Sequence, residues 1–193
     1  MMAFALVIVL VVSIVFPRNL VSPEAYDYAC DVTSSGAKLC LHPADVSVRA
    51  QIEPLIDKAV MLTGTQNATY AEYVPGDLAP GQGRTVFTIV FDGSGNIDTE
   101  QVVHNLDSQI LFTGRQCLQE QRDGNGSDIV LAELDSRVSG KSETTMEDDT
   151  RLFSGHLEPG AGFQSMSDKE FTSWLKAHWA EASSCTMKED ALP

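Results

Sequence analysis

The first sixteen residues, MMAFALVIVLVVSIVF, carry no charged side chain and are interrupted only by Ser13. A segment this apolar has no polar face, so as a helix it needs protein or lipid on every side. It spans roughly 24 Å at 1.5 Å per residue, short of the ~30 Å hydrocarbon core. Pro17-Arg18-Asn19 then ends it. A cleaved signal peptide calls for a basic flank and a small-x-small cleavage site. No Lys or Arg precedes the run, and Val21-Ser22-Pro23-Glu24-Ala25 is a poor site. A lipoprotein signal does not fit Cys30, which follows Asp27-Tyr28-Ala29. We read residues 1–19 as a transmembrane segment, truncated or uncleaved, or a signal anchor. The abrupt start at Met1 sets the expectation that the chain begins upstream. A cleaved signal peptide is the second reading. All of these place residues after about 20 on the extracytoplasmic side of the cell membrane.

The rest of the chain, 20–193, is long enough for one globular domain. The whole sequence has 13 Lys plus Arg against 27 Asp plus Glu, a formal net charge of −14, and every acidic residue follows the apolar run. Such a body lacks the cationic surface that neutralises phosphates, so no nucleic-acid partner is expected. The same balance disfavours a polybasic membrane-surface role. A hydrophobic fraction of 43% supplies a core.

The four cysteines are Cys30, Cys40, Cys117 and Cys185, with no CxxC among them. Cys30, Cys40 and His42 do not match a zinc spacing. Disulfides persist outside the cytoplasm, and four cysteines allow three pairings, between which sequence alone does not choose. We expect Cys30–Cys40, closing a loop around Ser34-Ser35-Gly36, and Cys117–Cys185. Loop closure contributes about 3 and about 4 kcal/mol respectively. The second pair is supported by placement. Cys117 lies about four helical turns beyond Val103, and Cys185 about four beyond Phe171, each on an apolar face.

Val48, Ile52, Leu55, Ile56, Ala59, Val60 and Leu62 recur at helical spacing. Asp45 or Ser47 is the expected cap, Gly64 the stop, and Pro54 a kink or restart. Tyr70–Val74 and Thr85–Phe91 read as β-strands. They are joined by a Pro/Gly-rich loop, long for the hairpin expected there. Asp98 and Gln101 resemble a capping box, opening a helix through Val103, Leu106 and Ile110. A further helix, opened by Ser127 or Asp128, passes Val130, Leu131, Leu134 and Val138 and stops at Gly140. Residues 141–164 read as a flexible acidic loop. Ser167 and Glu170 form a capping box before the last helix, with Met166 and Phe171 at the staple positions. Phe171, Trp174, Leu175, His178, Trp179 and Ala182 form its apolar stripe. The fold expected is α+β: helix-rich, with a small two- to three-stranded antiparallel sheet and disulfide staples, behind an N-terminal membrane segment.

Cys30, then Cys40-Leu41-His42-Pro43-Ala44, a long helix and Leu62-Thr63-Gly64 form one set of landmarks. Trp174-Leu175 in an amphipathic helix and Leu192-Pro193 form another. Together they resemble the extracytoplasmic C-terminal region of actinobacterial multi-span membrane proteins associated with ABC-2-type transporters. The resemblance implies a location after the last transmembrane helix and transporter subunits as partners. It transfers no catalytic residue, and the multi-span part is missing from this sequence.

Catalytic motifs are sparse. The histidines are His42, His104, His156 and His178, with no HExxH and no GxSxG. His42 reads as a turn organiser, and His178 as a packed residue or a carboxylate's partner. Gly76 to Thr85 lacks the GK[ST] of a phosphate loop and leads into a strand. Asp92–Asn96 and Asp123–Asp128 place oxygens like calcium loops but lack the Gly and Glu those require, so turns are the better reading. No catalytic residue, cofactor or metal is assigned. The expected function is a non-catalytic extracytoplasmic domain of a membrane-anchored, transporter-associated protein, acting by protein–protein contact. The alternative is an exported hydrolase-like enzyme with a site built from dispersed His and carboxylate residues.

Overall fold

The computed structural model describes residues 27–74, 84–112, 126–140 and 162–193. The expected membrane segment 1–19, Cys117, His156 and most of the 141–164 loop lie outside the described residues. Among those described, no helix is long and apolar enough to cross a membrane.

The fold is α+β, as expected, but the sheet differs. Strands β1 (Ala29–Val32), β2 (Lys38–Leu41), β3 (Thr69–Glu72) and β4 (Arg84–Phe87) form one four-stranded sheet in the order β1-β2-β3-β4. Only β1 and β2 are antiparallel; β2–β3 and β3–β4 are parallel. The sheet is therefore mixed, neither antiparallel nor limited to three strands. β1 and β2 are four-residue strands, too short for an alternation to register in the sequence. They form a hairpin around Gly36, whose φ of 85° suits glycine, with Thr33 N donating to Ala37 O at 2.8 Å. Residue 30 stands opposite residue 40, and the expected Cys30–Cys40 disulfide joins them. Cys185 is also disulfide-bonded.

The hairpin expected between β3 and β4 is corrected. The chain 73–83 has to return only about 13 Å, the length of a four-residue strand, to start β4 parallel to β3. A segment that long for a hairpin has ample reach for this. The second strand is also shorter than expected: it ends at Phe87, and Phe91 instead bridges Ile97 across a turn.

Helix α1 (Arg49–Thr63) carries the chain from β2 to β3, as a parallel connection requires. Its expected cap is also corrected. A 3-10 turn, Pro43–Val48, runs straight into α1, and Val48 makes no side-chain cap. The cap belongs to that turn: His42 Nδ1 accepts from Ala44 N at 3.2 Å, with Pro43 in the first turn, where a missing N–H costs nothing. Gly64 ends α1 with φ 73°, as expected. Pro54 interrupts nothing; it lies on the exposed side, where water satisfies the carbonyl it leaves unbonded.

Helices α2 (Thr99–Phe112), α3 (Gly126–Ser139) and α4 (Asp168–Ser183) lie where expected, except that α3 already includes Gly126, so Ser127 and Asp128 sit in its first turn rather than opening it. Asp98 caps α2 by accepting from Gln101 N at 3.1 Å. The return half of the box is missing, because Gln101 donates to the Asp98 carboxylate and Asp98 N to Val90 O. At α4 both halves of the Ser167–Glu170 box form. Leu39, Leu41, Tyr70 and Phe87 share the sheet face that packs on the helices. α2 lies against α3 and β4, and α4 against α1 and α3. The α4 stripe is only partly internal: Phe171, Leu175 and Ala182 are buried, while Trp174, His178 and Trp179 lie half-buried at its margin.

Candidate functional site

The strongest concentration of unusual chemistry lies between α2 and α3. Val103, Leu106, Ile110 and Leu111 make the buried face of α2, and Asp107 sits among them at 0% exposure. Neither of its oxygens receives a hydrogen bond from a nitrogen or hydroxyl donor, and Asp135 Oδ1 on α3 is in the same position. The two carboxyl groups lie close enough to act on each other across the contact between α2 and α3, where His104 of α2 already reaches Asp135. Burial pushes Asp107 well above the usual carboxylate range, and the Asp135 charge adds to this. Burial raises Asp135 too, opposed by its bond to His104. His104 Nδ1 meets Asp135 Oδ2 at 2.7 Å, and its ring is largely exposed. Two anions in so dry a site repel strongly, so one proton shared between them is the stable arrangement.

A second acidic cluster lies where β2 and β3 end. Glu72 is buried and accepts from His42 N at 2.8 Å. Burial pushes Glu72 up to about 7, offset by the His42 N–H and reinforced by Asp45. The recess beside it is lined by Tyr28, Tyr73, Val74 and Arg84, not by the His42 ring.

The third centre is cationic. Arg137 on α3 donates to Glu133 Oε1 at 2.6 Å and Asp168 Oδ1 at 2.9 Å. It also donates to the carbonyls of Phe163 and Met166 at 2.9 and 3.0 Å, and its guanidinium lies 4.6 Å from the Phe171 ring centroid. Lys58 of α1 closes the network on Asp168. The bond from Lys58 lowers Asp168, burial opposes it and Arg137 assists.

The histidines are dispersed. His42 organises the turn after β2, as expected. His178 stacks on Trp174 at 4.5 Å and bonds the Trp174 carbonyl, so its partner is backbone rather than a carboxylate. Asp92–Asn96 forms a turn in which Asp92 Oδ1 accepts from Ser94 N and Asn96 N, at 2.8 and 2.9 Å. Those N–H groups engage Oδ1 as in a turn, in keeping with the turn expected there. Among the described residues, no group of three or more His, Cys, Asp or Glu could hold a metal ion.

Sequence reasoning missed both Asp107 and Arg137. Asp107 was visible as a charge inside an apolar stripe, four residues after Val103 and four before Leu111. Arg137 was visible only as an i,i+4 partner of Glu133. Neither signal names the partner on another element. No family model, curated protein or solved structure matches the chain.

Proposed function

We propose that residues 20–193 form a non-catalytic extracytoplasmic domain, tethered at 1–19 to the membrane and acting by contact with transporter subunits. The Cys30–Cys40 disulfide carries this reading, because such a staple persists in an oxidising compartment. The acidic body and the apolar head agree with it. The transporter association rests on the resemblance of the Cys40–Ala44 and C-terminal segments. In cells expressing the full chain, the domain should fractionate with membranes and be digested by protease added outside. Cross-linking in those membranes should link it to a multi-span transporter subunit. A cytosolic chain with four free thiols would overturn the location, and cross-links to itself alone would overturn the partner.

The hydrolase alternative draws support from one observation. The half-buried Asp135 carboxylate sits behind the exposed His104 ring, as a carboxylate sits behind a general base. Under that reading, purified protein hydrolyses some member of an ester, amide and phosphoester panel, and His104→Ala abolishes the turnover. No turnover across the panel, or turnover unchanged in His104→Ala, removes it.

A further inference from the structure

We propose that Asp107 and Asp135 are a one-proton latch between α2 and α3, closed while the pair holds a proton and loosened when it gives that proton up. The geometry makes the proton necessary. Asp107 is at 0% exposure, and its two oxygens, like Asp135 Oδ1, have no N–H or O–H donor in reach. A buried polar atom without a partner is strongly disfavoured. A proton on Asp107 makes its O–H a donor to Asp135 Oδ1, so both atoms gain a bond. The second Asp135 oxygen takes the N–H of His104. His104 thus favours charge on Asp135, and Asp107 keeps the proton.

The surroundings supply no substitute for it. From β3, Tyr70 lies close enough to feel the Asp107 charge. Burial raises its hydroxyl, the 2.6 Å bond to Thr65 Oγ1 opposes this and the Asp107 charge adds to it, so it stays neutral. On α3, Arg137 and Glu133 bond each other, and Arg137 also holds Asp168. Among the described residues, α1, α4 and β4 bring no charge that acts on the pair. Among the described residues, its electrostatics are therefore those of two carboxyls, one imidazole and one neutral phenol.

The sign follows from burial. Asp107 binds its proton more tightly folded than unfolded, so the closed state holds more protons. Closure is most favourable below the ordinary Asp value of 3.8 and weakens as pH rises through the raised value. A domain outside the cell would tighten in acid and loosen towards alkali, independently of what it contacts.

The test is amide hydrogen exchange on the full chain from pH 5 to 9, corrected for the intrinsic pH dependence. The opening ratio of α2 and α3 amides should rise about tenfold per pH unit while the closed pair still holds its proton, and level off once the closed pair ionises. Amides of the disulfide-held β1–β2 hairpin should show no such rise. Asp107→Asn, which carries a permanent donor, should abolish the rise in α2 and α3. The wild-type protein should also show a protonated-carboxyl infrared band at pH 6 that disappears together with that protection. A flat opening ratio in the wild type overturns the latch, as does an unchanged rise in Asp107→Asn. If that variant does not fold, the infrared band decides alone, and its absence at pH 6 overturns the proposal.

Discussion

Asp135 and Arg137 stand two residues apart on α3, and each faces a buried environment with a charge. Arg137 is met on every side: two carboxylates, two carbonyls and an aromatic face. Asp135 meets one imidazole and a second acid. The difference is one of saturation. An ion held by four hydrogen bonds to fixed partners ties its neighbours together, whereas a buried acid pair depends on a proton drawn from solution. One helix thus carries a join held by a hydrogen-bonded ion network and another set by pH, on different faces because residues i and i+2 point apart.

The contrast is most severely tested by removing its saturated half. Arg137→Ala leaves Glu133 buried without its partner and frees two carbonyls, so urea unfolding should show a loss of about 3–5 kcal/mol. A loss under 1 kcal/mol would mean that the network contributes no more than a surface pair. The unsaturated half should respond with the opposite sign. At pH 8, Asp107→Asn should stabilise the domain by about 1–3 kcal/mol, because a permanent donor replaces a group that must otherwise be deprived of hydrogen bonds or protonated. Below pH 4 the two proteins should converge. Destabilisation at pH 8 would place Asp107 among ordinary satisfied carboxylates.

Two smaller changes mark the edges of the comparison. Ser167→Ala removes the cap that aims the start of α4 at Arg137, and should cost about 1 kcal/mol in thermal or urea unfolding. Lys58→Ala removes an ion pair whose side chains are 31% and 41% exposed. Its effect at pH 7 should stay within about 1 kcal/mol and shrink in high salt. It should also run against the acid pair in pH. Asp168 is held below its ordinary 3.8, so its contribution is present above that value and lost as pH falls through the folded one. A Lys58→Ala effect that grew in acid would contradict this assignment.

Local features were legible where a local hydrogen bond or a helical period enforced them. Ser167 and Glu170 announced the start of α4, and Gly64 the end of α1, because caps are settled within a few residues. The β1–β2 hairpin was readable as a cysteine loop around Gly36 but not as two strands. Four residues hold too little alternation to separate strand from loop. At the site, Asp107 could be recognised as a charge breaking an apolar face, while its pairing with Asp135 could not. That pairing depends on how α2 crosses α3, which no periodicity records.

The sequence by itself determined an apolar head, an acidic body, the helix positions and a cysteine pair near enough along the chain to join. These follow from short-range chemistry: periodicity, caps, turns and charge. Only the tertiary structure decided that β2, β3 and β4 run parallel, that Arg137 gathers ligands from two segments of chain, and that two acids meet in the core. Each of those outcomes joins residues remote in sequence, and its free energy depends on burial and partners that exist only after the elements have packed.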